Sequence, residues 1–101
     1  MNLDELTARV AEVALYCPGQ YGHLDITLRE GNISKYVIYF HVMGRVACQS
    51  VEDCIDLLRV VEDRGPEEVR RICDKRIGES FDLRNKDVYE REFQDWKGEV
   101  Q

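Results

Sequence analysis

The apolar positions of the chain recur with periods that change along its length, and each period dictates an element. Leu3, Leu6, Val10, Val13, Ala14 and Cys17 return every three to four residues, with Asp4, Glu5, Arg9 and Glu12 between them; that is a helix with one buried stripe. Asn2 before it and Glu5 three residues on form a capping box, and Pro18-Gly19 ends it. Leu24 to Arg29 then alternates strictly, which predicts a strand with Leu24, Ile26 and Leu28 toward the core and Asp25, Thr27 and Arg29 away from it.

Ile33 to Met43 follows a Glu30-Gly31-Asn32 turn. From Tyr36 onward His41 is its one strongly polar residue. A short run that is apolar at both alternating sets reads as a strand covered on both faces. This is the expected central strand, with Val37, Tyr39, His41 and Met43 on one side. Gly44-Arg45 turns the chain into a short strand at Val46-Ala47-Cys48.

Ser50 caps a second helix whose apolar face is Val51, Cys54, Ile55, Leu58 and Val61, widened by Leu57 and Val60. Gly65-Pro66 separates it from a third helix carrying Val69, Ile72, Cys73 and Ile77, which Gly78 closes. Phe81 and Leu83 anchor a connection to a last helix capped by Asn85, with Val88, Tyr89, Phe93 and Trp96 on one stripe. Residues 98–101 are expected to fray. The predicted fold is therefore α+β: a helix, a three-stranded antiparallel meander, a helix and two shorter C-terminal helices (α-β-β-β-α-α-α), in one domain over residues 1–101.

Composition narrows the function more than it names it. The chain is 44% hydrophobic and 34% charged, enough apolar content for a core. It shows no run long enough to span a membrane and no leader, so a soluble cytoplasmic protein is expected. The net charge is −6, and most of it lies in the second half: residues 1–50 carry four bases and five acids, residues 51–101 ten and fifteen. A phosphate-binding footprint is net basic, so direct nucleic-acid binding is not expected. The α-β-β-β-α order over roughly the first sixty residues is similar to that of double-stranded-RNA-binding domains, a likeness of topology that does not carry function with it. Those domains grip phosphate with a Lys-rich start of the closing helix, where this chain has Ser50-Val51-Glu52-Asp53.

Candidate chemistry is sparse. Cys17, Cys48, Cys54 and Cys73 form no C-x-x-C pair and read as reduced core thiols. Cys54 lies near a helix start, but Glu52, Asp53 and Asp56 oppose a thiolate there. Their spacing with His23 and His41 does not make a zinc set, and no metal or cofactor is expected. Arg70, Arg71, Lys75 and Arg76 form a basic cluster interleaved with acids, which suits a solvated helix face. His41 and Tyr39 on the central strand face the outward set of the first strand, Asp25 above all, with His23 added if that strand begins early enough. Such a grouping would suit acid–base work or a small ligand.

The main expectation is a binding protein without enzymatic activity: a small acidic module that inhibits or regulates a partner with a basic surface, such as a nucleic-acid-binding protein or complex. Compact acidic chains without motifs resemble phage-borne inhibitors of host defence, anti-CRISPR proteins among them, and a phage protein would work in the host cytoplasm. The candidate contacts are Glu52, Asp53, Asp56, Glu62 and Asp63 on the second helix and Glu90, Glu92 and Asp95 on the last. Tyr89, Phe93 and Trp96 are the alternative contact, being residue types common in interface hot spots. A homodimeric accessory subunit is the rival reading, and a small-ligand binder or enzyme built on Asp25, Tyr39 and His41 the third.

Overall fold

The computed structural model describes residues 2–77 and 91–92. It begins with helix α1, Leu3–Ala14, capped as its sequence requires: the Asn2 side-chain oxygen accepts from the Glu5 amide at 2.8 Å. After a 3-10 turn at Pro18–Gln20 come strands β1 (Gly22–Arg29), β2 (Asn32–Phe40) and β3 (Gly44–Cys48). Helix α2, Val51–Arg64, starts under Ser50, whose hydroxyl accepts from the Asp53 amide at 3.1 Å. Gly65, at φ +88°, ends α2 by donating to the Val61 carbonyl, and α3 runs from Pro66 to Ile77. The result is the expected α+β domain of a helix, antiparallel strands in one sheet, and further helices.

β2 lies between β1 and β3, antiparallel to both. Its even-numbered residues Tyr36, Ile38 and Phe40 join Val46 and Cys48 of β3 in a core closed by Leu6, Val10, Val13 and Ala14 of α1 and by Cys54, Leu57, Leu58 and Val61 of α2. Phe40, Ile38 and Leu6 are among its largest fully buried side chains, each contributing about 1.5–3 kcal/mol by leaving water. Val37 and its cross-strand partner Ala47 occupy the opposite face and are buried as well. The central strand is thus covered on both faces, as its composition requires. Cys17, Cys48 and Cys54 are all buried.

Four expectations need correction. Leu24 packs on the core, but Ile26 and Leu28 of β1 are exposed, Leu28 at 65%. A 12-residue helix is ~18 Å long and an 8-residue strand ~26 Å, so α1 cannot cover β1 from end to end. Ile33 is exposed beside them because the ladder skips Ser34, a bulge that sets Ile33 opposite Leu28. Met43 does not share the face of Tyr39; it is fully buried in the helix-side core. Val42 before it takes φ +79°, and that left-handed residue breaks the alternation. The last helix also falls differently where it is described: Arg91–Glu92 is a short strand, β4, parallel to β3 at Val46 and Ala47, so the sheet has four strands. Two residues pairing with a distant strand leave no local periodicity to read. Tyr89, Phe93, Trp96, Glu90 and Asp95 lie outside the described residues.

Gly22 shows how tightly β1 sits on β2. A methyl group there would stand 2.4 Å from the Phe40 ring and 2.9 Å from the Tyr39 carbonyl oxygen. Gly22→Ala should therefore cost about 2 kcal/mol, the scale of overpacking, in urea unfolding. Gly31→Ala meets open space and should cost ~1 kcal/mol, from its positive φ alone. Equal losses would mean that the Phe40 contact relaxes freely.

Candidate functional site

Three surfaces carry the candidate chemistry. On α2, Glu52, Asp56, Arg59 and Asp63 recur at i, i+4, i+7 and i+11, which puts them on one stripe opposite the buried Cys54, Leu57 and Val61. Arg59 stands within this stripe, 3.9 Å from Asp56. The other two acids expected there do not join it. Asp53 is 7% exposed, in the first turn of α2, where the helix dipole favours a carboxylate. Glu62 is turned toward α1 and paired with Arg9, which also contacts Glu12 at 3.2 Å. Glu92 is in β4 instead of on a helix.

The second surface is the cleft where α1 meets the end of α2. Val13, Cys17, Val61 and Pro66 line this space of about 430 Å³ together with the Arg9 and Glu62 pair, and the exposed Tyr16 stands at its lip. The Cys17 thiol donates to the Val13 carbonyl, and burial pushes its pKa up. A neutral thiol is a poor nucleophile.

The third surface is the sheet face turned away from α1 and α2. β1 begins at Gly22, so His23 does fall on the strand, directly across from Tyr39. Their rings stack at 5.2 Å and 22°, and Tyr21 meets both edge-on. With its proton on Nε2, His23 faces Asp25 Oδ2 at 3.2 Å and accepts from the Tyr21 hydroxyl at 3.1 Å. Arg45 on β3 donates to the same Asp25 oxygen at 3.1 Å. The histidine beside Asp25 is thus His23, while His41 sits beyond the end of β2. Its backbone N–H donates to the Tyr21 carbonyl, and its ring packs against Gly19, where a methyl group would approach to 3.2 Å.

Tyr39 and His41 nevertheless share a cavity of about 440 Å³ at the β2–β3 turn, with Val42, Gly44 and Arg70. Arg70 NH1 reaches from α3 and donates to the Val42 carbonyl at 3.1 Å. Val42 is the strained residue of this turn, because a β-branched side chain is rarely found at positive φ. Nothing in the local sequence signals this contact, which joins residues 28 apart. The nearest hint was the basic cluster, of which Arg70 is a member. Arg71 of that cluster is held by Glu68 through bonds of 3.0 and 2.6 Å, and these hold the Glu68 carboxyl below its usual pKa.

Among the described residues no group of three His, Cys, Asp or Glu side chains is placed to hold a metal, and no helix is long and apolar enough to cross a membrane. Comparison with family models, curated proteins and solved structures finds no match.

If the surroundings hold Val42 against its own preference, Val42→Gly should relieve strain of about 1 kcal/mol and raise the thermal midpoint by several degrees. A lowered midpoint would show that packing of the half-buried valine outweighs the strain.

Proposed function

We propose that the chain is a binding module that acts on a macromolecular partner with a basic surface and blocks or regulates it, and that it does not act as an enzyme. The observation that carries this reading is the alignment of Glu52, Asp56 and Asp63 on the outward stripe of α2, backed by a rigid core. A net charge of −6 adds long-range attraction toward a basic partner. A nucleic-acid-binding protein or complex fits that description. We place the activity with that of phage-borne inhibitors of host defence, anti-CRISPR proteins included, in the host cytoplasm, on the support of charge and size.

The test is a pull-down from bacterial lysate with the native chain and with the triple variant Glu52→Lys, Asp56→Lys, Asp63→Lys. The native chain should retain basic nucleic-acid-binding proteins at ~0.1 M salt and release them near 1 M, where the Debye length falls from ~10 to ~3 Å. The variant should retain none at either salt. Identical captures from the two chains would sink the reading.

A second reading is favoured by the overhanging end of the β1–β2 hairpin. Ile26, Leu28 and Ile33 are exposed there, on β1 and its neighbour, and β1 is an edge strand of the sheet among the described residues; an edge with apolar neighbours is a template for strand pairing. On this reading a second copy pairs along β1 to form a homodimer. Light scattering across a concentration series should then give twice the chain mass, returning to one chain in Leu28→Lys. A native chain that stays monomeric up to ~1 mM leaves such a dimer weaker than about −4 kcal/mol and removes it as a function.

A further inference from the structure

We infer that the cleft between α1 and the end of α2 is a binding site for a small organic cation, an amine carrying an apolar body. The inference goes beyond the reading of the α2 stripe and does not rest on it. The floor of the cleft is the core itself: Val13, Cys17 and Val61 belong to the buried cluster and line the space of about 430 Å³. That volume falls in the ~300–1,000 Å³ range of small-ligand sites. The Cys17 thiol keeps its proton, because burial raises its pKa, and it donates to the Val13 carbonyl. A neutral sulfur is a soft, polarizable surface for a hydrocarbon to lie on. An apolar body is therefore favoured here by the water it leaves behind.

The rim selects the charge. Among the described lining residues the charged ones are Arg9, Glu12 and Glu62, one base and two acids. Both carboxylates stand against the single guanidinium, Glu12 at 3.2 Å and Glu62 in the pair that ties α1 to α2. An entering anion would meet a guanidinium already held by two acids. An entering cation meets a rim with a surplus of one negative charge. The Glu12 and Glu62 side chains are 61% and 39% exposed, and a carboxylate has lone pairs enough to accept from a second donor without releasing the first. Tyr16 adds a ring at the lip that is 85% exposed, and the negative face of such a ring attracts cations. The cleft is also shaped before any ligand arrives, because its floor is core and the Arg9–Glu62 pair spans its two helices.

Amide correlation spectra of the labelled full chain test the proposal with four probes: phenethylamine, phenethyl alcohol, phenylacetate and ethylamine. Phenethylamine should shift the amides of Val13, Tyr16, Cys17, Val61 and Gly65 with a Kd below ~1 mM. The neutral alcohol should bind about fivefold more weakly, the scale of one exposed charge pair, and phenylacetate more weakly still. Ethylamine, which has the charge without the ring, should be the weaker of the two amines. Glu62→Gln should weaken phenethylamine about fivefold and leave the alcohol unchanged, which separates loss of charge from loss of the cleft. Tyr16→Ala removes an exposed ring and should weaken the amine about fivefold with an unchanged melt. The proposal is overturned if phenethylamine shifts none of these amides at ~10 mM or if the alcohol, phenylacetate or ethylamine matches it. It is overturned equally if Glu62→Gln weakens amine and alcohol alike, or if folded Tyr16→Ala binds as the native chain does. Because the α2 charge-reversal variant leaves this lining intact, loss of partner capture and loss of amine binding are separable.

Discussion

Everything in this molecule depends on covering β2. The strand is bonded along both edges and apolar on both faces, so it cannot stand at a surface without exposing a continuous hydrophobic strip. One face is closed by α1 and α2 over Tyr36, Ile38 and Phe40. The requirement reaches back into the chain: Gly22 must be bare so that β1 can lie against Phe40, and Ser50 must start α2 early enough for Cys54 and Leu57 to land on β3. The opposite face buries Val37 and Ala47 and gives way, toward the start of β1, to Tyr21, His23, Asp25 and Arg45. The candidate chemistry of the sheet begins where that apolar cover ends.

Much of the fold was legible because its signals are local. Helical spacing, the Asn2 and Ser50 caps, the Gly65-Pro66 break and the strand pattern of β1 each occupy a few consecutive residues, and each element appears in the structure close to where the pattern puts it. The failures share the opposite property. Ile26 and Leu28 alternate like core residues, but their exposure depends on how far a separate helix reaches. Met43 lost its phase through one left-handed residue, at a valine for which no propensity announces it. β4 pairs in parallel with a strand more than forty positions earlier. Such relations are properties of the assembled chain.

The candidate sites divide in the same way. A helix stripe follows from spacing, so Glu52, Asp56 and Asp63 could be named in advance. Spacing does not say which acids another element claims: Arg9 takes Glu62 from 53 residues away, and burial takes Asp53. On the sheet face the grouping of Asp25, Tyr39 and the two histidines depended on where β1 begins. His23 gained the place beside Asp25, and His41 went to the turn with Arg70. The two histidines thus serve different neighbourhoods, one set by strand register and the other by a helix arriving from later in the chain.

The bulge at Ser34 has a consequence for how this surface can vary between related chains. The ladder passes from Thr27–Lys35 directly to Leu28–Ile33, so removing one residue there preserves every cross-strand pair while reducing the local twist. The hairpin can therefore absorb a change of chain length without loss of frame. Insertions and deletions elsewhere in β1 or β2 would rotate side chains across the sheet, but at this position they re-aim only the overhanging tip. A change of chain length at this point would reshape the tip carrying Ile26, Leu28 and Ile33 and leave the core beneath β2 untouched.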